Sequence, residues 1–177
     1  MIKTIIIITL ILLALWLMGC WGYKAKQDKN NKANVEPKYN WGVAVNAPIG
    51  YPIRFYGGRV GGMSITGELY SKLREPDWGN AFGYESHSMD ELPKSVDMVW
   101  LSYKEDCFYR LKTAIDYEKI EKLFREGFNQ RVPNGEVRHK TYDTIVVGIA
   151  PGGVVVLWVG SGYLPLTEIG RYQAEKI

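Results

Sequence analysis

The apolar segment from Ile5 to Met18 restricts the fold most, because it decides which residues remain to build a domain. It carries no charged residue and follows a single basic one, Lys3. A helix of these 14 residues would be about 21 Å long, whereas the hydrocarbon core of a bilayer is about 30 Å thick. The segment therefore predicts a cleavable signal peptide. An uncleaved signal anchor, extended by Gly19 to Trp21, is the alternative.

The end of this segment, Leu17-Met18-Gly19-Cys20, resembles the lipobox of bacterial lipoproteins. The resemblance implies that a diacylglycerol is attached to the Cys20 thiol, and that cleavage after Gly19 makes Cys20 the first residue of the mature chain. Met18 is a less usual occupant of its position, and an ordinary signal peptide with a coincidental cysteine is the alternative. Trp21 stands where an aspartate would retain a lipoprotein in the inner membrane of enteric-type bacteria. The resemblance thus implies a lipid anchor in the outer membrane, with the protein facing the periplasm.

Composition divides the chain into three regions. Residues 1–19 are predicted to be the signal peptide, residues 20–38 a lipidated N-terminus with a flexible tether, and residues 39–177 one globular domain. The tether is predicted because residues 24–38 are polar and almost free of apolar side chains. The remaining length is enough for one compact domain with its own core.

Charge and cysteine content exclude several classes of function. Loss of Lys3 with residues 1–19 lowers the net charge from +3 to about +2, a balance that predicts no surface for nucleic acid. If Cys20 carries lipid, Cys107 has no partner for a disulfide. Cys107 alternates with its neighbours as a strand residue does, which predicts a buried thiol acting as a small hydrophobic residue.

Hydrophobic periodicity predicts an α+β fold, a single domain with a mostly antiparallel sheet and one principal helix. The helix should begin after Asp116 as N-cap and end near Gly127. Two β-branched runs around Pro151-Gly152-Gly153 predict an antiparallel hairpin. Further predicted elements are a strand over 41–47, a central strand over 95–103, its neighbour over 105–112 and a long loop over 71–92. The segment 51–70 is strand-like but broken by paired glycines, which predicts a bulged or bent hairpin. The helix is expected on one sheet face, and a second layer or the 50–70 segment on the other.

Residues able to carry out chemistry are few and scattered. Ser64 lacks the glycine spacing of a nucleophile elbow, and His87 with its acidic neighbours lacks a third strong zinc ligand. Two acidic residues precede Cys107 and disfavour the thiolate that a Cys107–His139 pair would need. We therefore predict no catalytic residue, no metal site and no cofactor, and hence that the chain is not an enzyme.

Aromatic residues in the predicted long loop form the candidate partner-binding site. They are Trp78, Phe82 and Tyr84, together with His87. Large rigid rings on a surface loop make good interface anchors. A loop that packs these rings inward is the alternative.

Several segments are similar to one family. They are Trp41-Gly42, Tyr51-Pro52, "VWLSYKEDCFYRLK" with the helix after it, and "VVGIAPGGVVVLWVG". Over residues 39–170 they resemble the bacterial lipoproteins grouped as domain of unknown function 2931. Some members of that family are encoded beside phospholipase toxins of the type VI secretion system. The resemblance therefore implies an immunity lipoprotein.

We expect an outer-membrane-anchored periplasmic lipoprotein that binds and neutralises a secreted toxin, in particular a type VI phospholipase effector. Its partners would be the membrane, through the N-terminal lipid, and the toxin, with no nucleic acid and no small-molecule substrate. The tether fits this function because confinement raises effective concentration near the target membrane. A structural or assembly lipoprotein of the cell envelope and an envelope hydrolase are the two alternatives.

Overall fold

The computed structural model of the chain describes residues 37–69, 78, 86–162 and 166–177. The elements within them belong to one compact unit, Lys38–Ile177. In chain order they are β1 (Lys38–Asn46), β2 (Ile53–Val60), β3 (Met63–Ser64), β4 (Gly67–Leu69), β5 (Ser86–Glu91), β6 (Ser95–Ser102), β7 (Cys107–Ala114), α1 (Tyr117–Glu126), β8 (Phe128–Arg131), β9 (Val137–Lys140), β10 (Thr144–Ala150), β11 (Val154–Gly160), β12 (Thr167–Gln173) and β13 (Glu175–Lys176).

Two sheets form the body of the unit. The five-stranded sheet has the order β12-β11-β10-β1-β5, and the six-stranded sheet has the order β13-β7-β6-β2-β3, with β4 also paired to β2. Strands β1 and β10 run parallel, with Val43 opposite Ile145, and the other described pairs of both sheets are antiparallel. Strands β8 and β9 form a separate two-stranded ladder.

One hydrophobic core lies between the two sheets. It contains Trp41, Ile145 and Leu157 from the five-stranded sheet and Ile53 and Met98 from the six-stranded sheet, all fully buried or nearly so. Because residues of both sheets share one cluster, the sheets pack face to face. The second layer expected from the sequence is thus the six-stranded sheet, which includes the bent hairpin over 51–70.

The predicted α+β class is wrong, because the fold is mainly β. Strands account for 59% of the structure and helical residues for 11%, so the helix is an accessory to the sheets. The prediction failed because several strands lack an apolar alternation: every residue of β9 is exposed. Strand β5 lies inside the predicted loop over 71–92, where it pairs with β1.

Helix α1 is confirmed as the principal helix of the described residues. The Asp116 carboxylate accepts a hydrogen bond from the Lys119 backbone nitrogen at 3.0 Å, which caps the first turn. Gly127 ends the helix with φ of +62° and donates to the Leu123 carbonyl. Ile120 and Phe124 are buried in the main core.

The hairpin of β10 and β11 is confirmed as antiparallel, with Ala150 opposite Val154. Its outward residues Val146, Val156 and Trp158 form a small buried cluster with Ala44 of β1, and Trp78 packs against this cluster. Gly148 lies beneath both indole rings: an added Cβ would come within 2.5 Å of Trp158 and 2.9 Å of Trp78. A glycine is therefore required here by the close approach of the two rings.

Candidate binding surface

The outer face of the six-stranded sheet presents side chains of β2, β6 and β7 to solvent. Phe55 and Trp100 are buried in the core, so their neighbours along each strand point the other way. The register aligns Arg54 with Leu101, and Leu101 with Phe108. We define the outer face by the side chains of Arg54, Tyr56, Arg59, Asp97, Val99, Leu101, Phe108, Arg110 and Lys112.

An aromatic pair lies in the middle of the outer face. The Tyr56 side chain is 57% exposed, and its ring meets the Phe108 ring edge to face, with the centroids 5.2 Å apart. The Arg54 guanidinium lies 5.3 Å from the Tyr56 centroid, within the range of a cation–π contact. Tyrosine and arginine in this arrangement are the residue types that most often dominate protein interfaces.

Beside this aromatic pair, Asp97 forms ion pairs with two cations. Asp97 lies 3.7 Å from Arg110 and 3.6 Å from Lys112, measured between charged atoms. Exposed ion pairs of this kind contribute little to folding stability. Arg59, which lies opposite Asp97 in the register, makes no ion pair with any residue that the structure describes. This guanidinium is thus available to a ligand.

A shallow groove of about 510 Å³ crosses the outer face. It is lined by Tyr56, Gly57, Gly58, Arg59, Ser64, Asp97 and Val99. The groove exists because β2 has a bulge between Phe55 and Gly57 and has no side chain at Gly57. An outward position without a side chain leaves room for a group of a ligand.

A polar cluster joins the two sheets at one end of the unit. The Tyr51 hydroxyl donates a hydrogen bond to Glu105, in the turn between β6 and β7. The Gly152 backbone nitrogen, in the turn between β10 and β11, donates to the other oxygen of Glu105 at 2.9 Å. Glu105 thus links a turn of one sheet to a turn of the other. This arrangement supports the fold rather than forming a ligand site.

The pKa values of this cluster follow from these contacts. Burial alone would raise the pKa of Glu105, but hydrogen bonds from Tyr51, Gly152 and neighbouring hydroxyls lower it below its ordinary value. Burial and the hydrogen bond to Glu105 raise the pKa of Tyr51. Burial, a hydrogen bond to Cys107 and the charge of Glu105 raise the pKa of Tyr109 to about 12. At neutral pH the cluster is one carboxylate surrounded by neutral phenols.

The structure separates the residues considered for catalysis. Cys107 is a free thiol, 8% exposed, and lies on β7 as the alternation predicted. His139 lies on β9, is exposed, and has its ring Nδ1 3.3 Å from the Asn129 side-chain oxygen. Ser64 is exposed on β3, where it lines the groove of the outer face. These residues therefore form no nucleophile–base pair in the structure.

Of the four residues predicted to form the partner-binding loop, the structure describes the side chain of Trp78. Trp78 is half-buried and meets Trp158 edge to face, with the centroids 5.3 Å apart. This position supports the inward-packing alternative for Trp78. Phe82 and Tyr84 lie outside the described residues, as does Cys20, and His87 is described only through its backbone, which pairs with Gly42. The binding role of the loop stays a prediction.

Sequence reasoning missed the outer face. Its signal was the segment Arg54-Phe55-Tyr56-Gly57-Gly58, in which polar or aromatic outward residues alternate with a buried one. The paired glycines were interpreted only as the sign of a bulge, which the structure confirms. Their second consequence, an open space beside an exposed tyrosine, depends on the register with β6. That register was not readable from the sequence.

Two features are absent from the part of the chain that the structure describes, a cluster of metal ligands and a membrane-spanning helix. Within residues 37–69, 78, 86–162 and 166–177, no three histidine, cysteine or acidic side chains converge closely enough to hold a metal ion. In the same part of the chain, no helix is both long and apolar enough to cross a membrane.

Together these features define a mainly β protein of two packed sheets, with a potential binding surface on one of them. A family model described as "Protein of unknown function (DUF2931)" matches residues 24–177, and the chain belongs to this family. No curated protein matches the chain, and no solved structure does.

The segments that carry the family resemblance meet in the polar cluster. Tyr51 comes from the Tyr-Pro segment, Glu105 from "SYKEDCFY", and Gly152 from "APGG". Gly153, next in the turn, approaches the Tyr109 ring so closely that an added Cβ would lie 2.7 Å from it. These motif residues are explained by the fold.

Proposed function

We propose that this protein is a lipoprotein of the outer membrane that binds and neutralises a secreted toxin in the periplasm. The toxin is a phospholipase effector of a type VI secretion system. The observation that carries the proposal is the outer face, where the exposed Tyr56 ring, packed against the half-buried Phe108 ring, stands beside several cations. Such a surface has the composition of a protein interface.

The N-terminal sequence supports the location. Acyl chains on Cys20 would hold the protein at the membrane that a phospholipase attacks, because two or three chains anchor far more firmly than one. The polar tether would let the folded unit reach the toxin over tens of ångströms. Confinement near the same surface raises the effective concentration without any additional contact.

In this proposal the chain neutralises by occupying the toxin's surface and carries out no chemistry itself. The burial of Cys107 and the exposed position of His139 on a strand of another sheet support a binding rather than a catalytic function. The core residues of both sheets make the outer face a fixed platform, which limits the entropy lost on binding.

A protection assay tests the proposal. The reading frames next to this gene are first searched for a phospholipase toxin. Cells that export this toxin to the periplasm are then complemented with the full chain, and survivors are counted. We expect the full chain to restore viability and Cys20→Ala to protect much less, because it removes the anchor. Cys107→Ala is the matched cysteine control and should protect like the unmodified chain.

Two outcomes would contradict the proposal. Absence of protection by the full chain, at levels where it is detected in the envelope, would exclude the immunity function. Deletion of the gene that weakens the outer-membrane barrier without any toxin would favour the structural or assembly alternative instead.

A further inference from the structure

We propose that the outer face is the surface through which the toxin is bound, and that its occupant is a folded protein presenting an apolar side chain ringed by carboxylates. This inference rests on the proposed function, because it names the contact surface of that same partner.

Charge determines the chemistry of the partner. Outward from the sheet stand Arg54, Arg59, Arg110 and Lys112, all exposed. The acidic side chain within the defined face is Asp97. At its two edges Glu175 on β13 lies opposite Arg110, and Glu68 on β4 lies opposite Arg54 in the register. The surplus of cations favours an acidic partner, and the complementarity would speed association and fix its orientation.

Gly57 gives the face its shape. Its φ lies outside the left-handed region, and an added Cβ would meet nothing within 4 Å, so neither backbone nor packing requires a glycine. A glycine inside a strand costs stability relative to residues with side chains. Gly58 differs, because its added Cβ would lie 3.3 Å from Ile65 and Met98 in the core. The space above Gly57, beside the Tyr56 ring, therefore fits an inserted apolar side chain of the partner.

A protein explains the face better than a membrane surface does. Anionic lipid headgroups would be attracted by the cations but would be repelled by Asp97, which is fixed between Arg110 and Lys112. A partner protein can place a hydrogen-bond donor against Asp97 and carboxylates against the surrounding cations. A bilayer also has no fixed group to enter the groove.

The binding test compares variants of the outer face with matched variants elsewhere. The full-length protein is purified in detergent, and its affinity for the phospholipase used in the protection assay is measured by titration. Tyr56→Ala is compared with Val137→Ala, because the two side chains are 57% and 54% exposed. Arg59→Glu is compared with Arg131→Glu on β8, and Gly57→Val is included to fill the groove.

We expect each outer-face variant to weaken binding by about tenfold or more, as truncation of interface anchors does. The two control variants should bind like the unmodified protein. The Gly57→Val variant should melt at the temperature of the unmodified protein, because the added side chain fills space occupied by solvent. A loss of binding by this variant is therefore not a loss of folding.

A second measurement identifies the occupant. Hydroxyl-radical footprinting of the full protein in phosphatidylglycerol vesicles should show Tyr56 protected only after the phospholipase is added, while Tyr103, 42% exposed, reports the background. Protection of Tyr56 by vesicles alone would overturn the inference in favour of a membrane. If the variants bind as tightly as the unmodified protein, the outer face is not the binding surface, although the proposed function can still hold. If the unmodified protein does not bind the phospholipase, the proposed function is overturned as well.

Discussion

Replacing Tyr51 with phenylalanine removes one hydroxyl from the polar cluster and tests whether Glu105 joins the two sheets. Tyr51 is 2% exposed, so water cannot take the place of the lost donor without a rearrangement. A buried hydrogen bond to a charged acceptor contributes about 1.5–3 kcal/mol to the free energy of unfolding. For a unit of this size the corresponding fall in melting temperature is roughly 5–10 °C.

Glu105→Gln extends the test to the charge. The amide can still accept from the Gly152 nitrogen and donate to the Tyr51 oxygen, so the geometry is kept while the charge is lost. Because the pKa of Glu105 is lowered by folding, its carboxylate adds stability above the ordinary value of 4.5, and this stability is lost as pH falls through the lower folded pKa. The stability difference between the unmodified protein and Glu105→Gln should therefore be largest near pH 7 and shrink toward pH 3.

Urea unfolding of the full chain, followed by tryptophan fluorescence from pH 3 to pH 7, measures both effects. Glu126→Gln, a change on an exposed carboxylate in the last turn of α1, is the control and should leave the unfolding midpoint almost unchanged. The double variant Tyr51→Phe/Glu105→Gln should cost less than the sum of the single changes, since both remove one contact. Strict additivity, or a difference that does not vary with pH, would refute the described role of Glu105.

Three further changes test the packing of the fold. Gly148→Ala should lower the free energy of unfolding by about 1–3 kcal/mol, because the added methyl group collides with two indole rings. Gly57→Ala should not lower it, because its added methyl group meets no atom. Equal effects of the two changes in thermal melts would contradict the geometry. Asp116→Ala should cost about 1 kcal/mol through loss of the helix cap, and an unchanged urea midpoint would show that the cap is dispensable. Trp78→Ala should cost about 1–3 kcal/mol, less than a fully buried tryptophan, and a neutral result in the same assay would place this ring outside the packed fold.

Elements with strong local signals could be predicted from the sequence. Helix α1 has a capping aspartate, a terminating glycine and apolar residues at helical spacing, and all three determine its ends. The β10–β11 hairpin has long β-branched runs around a turn with positive φ at Gly152 and Gly153. In both cases nearby residues determine the structure, so the pattern is visible in a short window.

Elements determined by distant partners could not be predicted in the same way. The parallel pairing of β1 with β10 joins residues about one hundred positions apart, such as Gly42 and Thr144, and leaves no local pattern. Strand β9 has no buried residue to produce an alternation, and the edge strand β5 has the polar composition of a loop. The candidate surface belongs to this group, because it is assembled from outward residues of three strands.

Titration of the proposed phospholipase partner with the purified full-length protein tests the proposed function most directly. The rate of phospholipid hydrolysis is measured while the full-length protein is added to the proposed phospholipase partner. The account predicts that hydrolysis falls to the background level near one equivalent and that Tyr56→Ala needs a much higher concentration. Full activity of the phospholipase in excess lipoprotein would contradict the account.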